Sequence, residues 1–285
     1  MIKLSLPGFY SKFKFVKIFL NYYFSYPDFF YKDRVIDSFY DADQNLIWRG
    51  GRNPTIDESP RDILPFFNEL QQPIKLRHVF TNCLLDENMV NDYTCNHFVK
   101  NFIRENDEVI LNHPLLIEHF KKNYPHIPII YSTTLDIKDI DKVNEISKDN
   151  IYVMNYNFNN NPEYIKQLQH KENIEILCAE PCNPNCPQRM KHYHAISKAV
   201  LYDNEEISQF ECPFGAEERS FFELMTLPHA ITNTTLLQME QEGFQYFKIS
   251  GRSLLVPQWL YTILYYLTLP QYLPLVYQDL LCKMW

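Results

Sequence analysis

The sequence predicts an α/β fold, a single-domain (β/α)8 TIM-like barrel over residues 1–285 in which not every unit need be regular. Three observations lead there. Short apolar runs alternate with amphipathic, helix-like segments along the chain. The residues that follow the runs are rich in amides and hydroxyls, as expected where all strand ends share one functional face. The number and spacing of the runs leave room for seven or eight βα units in 285 residues. An open doubly wound sheet is the alternative that also satisfies the alternation.

The runs lie at 2–6, 77–82, 108–112, 129–133, 151–155, 174–178 and 246–249. Each has the length and the near-continuous apolar character of a strand buried on both faces. Residues 86–104 and 139–148 have helical periodicity. Pro114 suits the first position of a helix, with Leu115, Leu116, His119 and Phe120 on one side of it. The polar stretch 155–161 fits a loop, and a helix is expected to begin near Pro187. The strand ends read Thr81-Asn82-Cys83, Asn112-His113, Ser132-Thr133-Thr134, Asn155-Tyr156-Asn157, Ala179-Glu180 and Ser250-Gly251-Arg252.

Composition narrows the function classes. Lys plus Arg number 27 against 35 Asp plus Glu, a net charge of −8, which disfavours a general nucleic-acid binder. Only 6 residues are glycine, so multi-glycine phosphate loops are mostly excluded. The most apolar stretch, 256–270, contains Gln258, is bounded by prolines and falls short of the ~20 residues of a membrane span. Lys3, Lys12, Lys14 and Lys17 interrupt the aromatic N-terminus, which lacks a signal core. A cytoplasmic protein without membrane partners is expected. No G-x-S-x-G, no H-E-x-x-H and no Ser-His-Asp order is present.

The segment 178–214 carries the strongest chemical signal. Cys178, Cys182 and Cys186 crowd a turn stiffened by Pro181, Pro184 and Pro187, and Cys212 follows. A stiff turn lowers the entropic cost of gathering thiolates around a metal, either an iron–sulfur cluster or zinc. Cys182, Cys186 and Cys212 occupy loop-like positions. Cys178 can be a buried strand-end thiol instead, and Cys83 closes another strand on the same face. Plain core cysteines and a redox disulfide are the competing readings.

Other groups gather near the expected strand ends. Gly50 and Gly51 between Arg49 and Arg52 suit a close approach to a carboxylate or phosphate, and Lys248 and Arg252 flank the last strand. Arg52, Lys248 and Arg252 are therefore the candidate substrate-binding residues. Glu180, between two cysteines, is a candidate acid or base. His192, three residues after Arg189 on one helix face, is a candidate proton carrier.

The run 180–189, Cys212-Pro213 and the late Phe247-Lys248-Ile249-Ser250-Gly251-Arg252 together resemble peptidase family U32, the collagenase-like proteins. The resemblance spans roughly residues 77–269. It implies a barrel, and through the family's iron–sulfur branch it implies oxygen-independent hydroxylation of an RNA or a quinone precursor. Four cysteines would then hold a [4Fe–4S] cluster, with Cys182, Cys186, Cys212 and either Cys178 or Cys83 as ligands. The substrate would be a small or nucleobase-like molecule, with a partner subunit or electron donor supplying electrons. Ser250 stands where relatives often carry an acid, and the cysteine spacing is shorter than in the nucleic-acid-modifying members. The alternatives are a zinc- or cysteine-dependent U32-type peptidase, or a binding module that a metal merely staples.

Overall fold

A computed structural model describes residues 1–51, 59–202, 212, 215 and 219–284. Eight strands close into a barrel in chain order: β1 (Ile2–Pro7), β2 (Arg34–Asp41), β3 (Lys75–Phe80), β4 (Glu108–Leu111), β5 (Ile129–Tyr131), β6 (Ile151–Val153), β7 (Ile174–Cys178) and β8 (Tyr246–Ile249). All neighbours are parallel, and β8 pairs back onto β1, setting Ser5 beside Lys248. The closed ring excludes the open doubly wound sheet.

The described helices follow the strands on the outside: α1 (Phe13–Ser25), α2 (Pro60–Glu69), α3 (Glu87–Val90), α4 (Tyr93–Phe102), α5 (Pro114–Asn123), α6 (Ile140–Ser147), α7 (Pro162–Ile165), α8 (Arg189–Tyr202), α9 (Phe221–Met225), α10 (Asn233–Gln241), α11 (Val256–Leu267) and α12 (Leu273–Met284). The segment expected to be one helix over 86–104 is two. The Asp92 carboxylate accepts from Cys95 N at 2.8 Å, capping α4 and ending the first turn of helix before it. Among the described residues, no helix is long and apolar enough to cross a membrane.

Strand β2 falls in a stretch where no apolar run is readable. Its register against β1 slips: Leu4 faces Ile36 but Ser5 faces Ser38, so Asp37 is the extra residue of a β-bulge. The bulge breaks the two-residue side-chain period. It also turns Asp37 toward Arg77, whose Nη2 lies 3.4 Å from Asp37 Oδ2.

The strands' two faces bury different things. Outward residues such as Leu4, Leu76, Val109, Ile176 and Phe247 pack with the helices in the main core. Inward, Tyr40, Val79, Ile110, Ile130, Val153 and Leu177 form an apolar layer. Toward the strands' N-terminal ends, the fully buried Arg77 donates to Glu108 Oε2 at 2.6 Å and to Glu175. Burying these charges is tolerable because each meets an opposite one. The apolar layer separates this ionic floor from a polar mouth at the C-terminal ends.

Candidate active site at the barrel mouth

The mouth is a cavity of about 130 Å3, and β8 supplies its cationic side. Lys248 points inward, level with Leu177 of β7, and is 7% exposed. Its Nζ stands 3.9 Å from the centre of the Tyr40 ring. Tyr40 is itself fixed, donating from its hydroxyl to Ile249 O at 2.7 Å. Burial pulls the Lys248 amine down to about 7; Glu175 opposes this, while Arg77 and Arg252 repel further charge.

Arg252 lies on the same side, with Cζ 5.8 Å from the Tyr40 ring centre. Its Nη2 donates to Gly50 O at 3.4 Å, and Nη1 is 4.0 Å from Asp41 Oδ1. Lys12 Nζ donates to the Arg252 carbonyl at 2.5 Å. Asp41, at the end of β2, accepts from Tyr10 N, Ser11 N and Ser11 Oγ at 3.2, 2.9 and 2.7 Å. The loops after β1, β2 and β8 are thereby tied together under Arg252.

The two glycines before Arg252's partner loop have steric reasons. A Cβ on Gly50 would lie 2.2 Å from Thr81 O. Gly51 has φ +78°, and a Cβ there would lie 2.5 Å from Arg252 Nη2. Arg52, the third residue expected to bind substrate, lies outside the described residues.

After β7 the chain turns sharply. Ala179 has φ +53°, a strained value for a residue with a Cβ. Glu180 then reaches two neighbours: Oε2 accepts from Ser250 Oγ at 3.1 Å, and Oε1 accepts from Cys182 N at 3.1 Å. Its role as a turn cap is thus present, and it lines the cavity as well. Further along, Tyr156 Oη donates to Asn183 O at 3.0 Å, and Arg219 donates to Pro181 O and Asn183 Oδ1. The cysteine turn is held by side chains from outside it as well as by its prolines.

Cys182, Cys186 and Cys212 all line the cavity and are partly exposed. Cys178 does not join them. It follows Ile174 and Ile176 on the outward face of β7, is 0% exposed, and its thiol is pushed well up by burial. Cys83 is engaged elsewhere, with Sγ 3.2 Å from Ser197 Oγ of α8. Cys95 is buried and Cys282 exposed, both in helices away from the mouth. Among the described residues, no three His, Cys, Asp or Glu side chains converge as a ready metal cage.

Helix α8 starts at Arg189, two residues after Pro187, and closes the cavity's far side. Arg189 is buried and donates to Thr133 O at 3.0 Å, Asn155 Oδ1 at 3.1 Å, Asp136 Oδ1 at 3.2 Å and Tyr193 Oη at 2.8 Å. It clamps the helix onto the ends of β5 and β6. His192 lines the cavity beside Tyr193, their ring centres 6.5 Å apart.

Of the residues expected to act, Glu180, His192, Lys248, Arg252 and three cysteines share one cavity. Tyr40, Asp41 and Arg219 were not foreseen. Tyr40 and Asp41 belong to the bulged strand, and Arg219 had no pattern around it.

No protein-family model matches the chain, and no curated protein matches it in sequence. Among solved structures the chain is similar to the U32 peptidase Mk0906, with a TM-score of 0.56 over 88% of this chain and 93% of that one. At 11% identity, that likeness shows a shared barrel fold and extends no further.

Proposed function

We propose that the chain is a cytoplasmic enzyme of U32-like class, carrying an iron–sulfur cluster and acting on a small anionic or nucleobase-like substrate. One observation carries the reading: the cations Lys248 and Arg252 and the thiols of Cys182, Cys186 and Cys212 face a single cavity at the C-terminal end of a parallel barrel. The thiol chemistry suits a thiophilic metal, but Cys178 faces the outer core. Cys182, Cys186 and Cys212 line one cavity without converging on one point among the described residues, so a cluster would have to draw them together. When bound, such a cluster would supply electron transfer.

The chain's own residues have separable roles. Arg252 holds the anionic group, placed by Asp41 and Gly50. Glu180 and Ser250 share a proton-bearing hydrogen bond at the cavity wall, and Tyr40 and Tyr193 limit water. Electrons come from a partner subunit or external donor.

Anaerobic purification with iron and sulfide counts tests the reading. Iron and sulfide are expected in the wild type, to be lost in Cys182→Ser and kept in Cys178→Ala, with both variants folded by circular dichroism. A folded wild type without iron and sulfide after anaerobic reconstitution overturns it. A second reading, a zinc-dependent peptidase, is favoured by the peptidase fold of the structural neighbour. Stoichiometric zinc and cleavage of peptides would select it.

A further inference from the structure

Lys248 is an unusual lysine. It is buried, yet among the described residues no carboxylate pairs with its Nζ and no acceptor hydrogen-bonds it; its contact is the face of Tyr40. Buried ammonium groups are normally paired, because an unpaired charge away from water is costly. The acid in its field, Glu175, gives one oxygen to Arg77; its Oε2 is buried without a hydrogen-bond partner among the described residues and does not reach Lys248 Nζ as an ion pair. The positive groups facing it are Arg77 from the barrel floor and Arg252 from its own strand end.

Arg252 is unsatisfied in a complementary way. Its Nη1 is buried without a hydrogen-bond partner among the described residues; Asp41 Oδ1, at 4.0 Å, is beyond hydrogen-bond reach and accepts from Ala42 N, while Oδ2 is taken up by Tyr10 and Ser11. Both cations lean on the one Tyr40 ring, at 3.9 and 5.8 Å from its centre. Both line the same cavity, whose volume of about 130 Å3 suits a molecule of a few heavy atoms.

We propose that Lys248 and Arg252 form a site for a small oxo-carboxylate, in which Arg252 takes the carboxylate and the Lys248 amine adds to the neighbouring carbonyl to form an imine. Nζ bonds to the carbonyl carbon. The carbonyl oxygen then leaves as water, carrying the two hydrogens that nitrogen gives up, and a C=N bond replaces C=O. The step needs no oxidant or reductant. A neutral amine is the form that attacks, and the burial that brings Lys248 down to about 7 keeps a large part of it neutral near pH 7. Ordinary exposed lysines, near 10.4, remain protonated there.

The inference rests on the anion-binding part of the proposed function and is independent of its metal. The full chain, stripped of metal by chelation, is incubated at pH 7 with pyruvate and sodium cyanoborohydride, and the product is mapped by peptide mass spectrometry. A single reduced pyruvyl group on Lys248 is expected. Lys248→Met should abolish it, and Arg252→Gln should reduce the labelling rate with pyruvate by about tenfold or more. With acetone, which has no carboxylate, the same Arg252→Gln variant should lose clearly less labelling rate than with pyruvate, and an equal loss with both overturns the role of Arg252 in holding the carboxylate. Label spread over exposed lysines, no label at all on folded protein, or equal labelling of wild type and Lys248→Met overturns the proposal. Failure of the iron–sulfur reading appears separately, in the metal counts.

Discussion

Replacing Arg77 by Met tests whether the barrel floor is held by its ionic network or only by packing. The side chain is fully buried and meets three carboxylates, Glu108, Glu175 and Asp37. Methionine fills much of the same volume, so the cavity penalty is small and the electrostatic loss dominates. Removing one partner from a buried ion pair costs about 3–5 kcal/mol, a large share of the ~5–15 kcal/mol that stabilises a typical domain. The pH dependence identifies the cause. Burial pushes the Glu108 carboxyl up, but Arg77 and Lys75 win and hold it below its ordinary value. A depressed carboxyl contributes stability above its unfolded value of ~4.3 and loses it as pH falls through the folded value. Carboxylates stranded without Arg77 are relieved by taking up protons. The deficit of the variant should therefore be greatest near pH 7.5 and shrink toward pH 4. Urea unfolding followed by tryptophan fluorescence measures it, since Trp48 and Trp259 are both 0% exposed and report on core opening. A deficit below about 1 kcal/mol at pH 7.5, or one that does not change with pH, refutes the reasoning.

Asp107 gives a second pH signature. Burial raises its carboxyl, but His78 and Arg104 outweigh that and bring it down to about 2. Asp107→Asn should cost ~2 kcal/mol at pH 7, with the difference from wild type vanishing as pH falls from about 4 toward 2; parallel unfolding curves at several pH values decide it. Gly50→Ala would press a methyl onto the Thr81 carbonyl, which is backbone and cannot swing aside. Its melting temperature should fall by ~4 °C or more, and an unchanged melt would refute the close approach.

The fold was legible where strands obey a simple rule. Seven of the eight strands stand out as short apolar runs because parallel barrel strands are buried on both faces. The same property hid two things. A strand apolar on both sides does not say which side faces the barrel axis, so the sequence leaves Cys178 open as either a fourth ligand or a buried strand-end thiol; it turns outward with Ile174 and Ile176. The eighth strand, Arg34–Asp41, carries ion-pairing residues and a bulge, so neither an apolar run nor a clean alternation marks it. The site residues on that strand, Tyr40 and Asp41, were lost with it. Lys248 and Arg252 were visible by their place at a strand end. That one lacks a counter-charge while the other has a bare nitrogen depends on the packing of residues far apart in sequence, and only three dimensions disclose it.

The pairing of β1 with β8 has a kinetic side. It joins Lys3 to Tyr246, 243 positions apart, so this contact carries the largest loop-closure cost among the strand pairings. Lys248 rides on that final stave. Until the ring shuts, its amine has neither a dry surrounding nor an aromatic ring against it, and Arg252 has no platform. An incompletely annealed chain would thus be mute toward ligand instead of weakly responsive, and ligand binding during refolding should switch on together with the last structural phase.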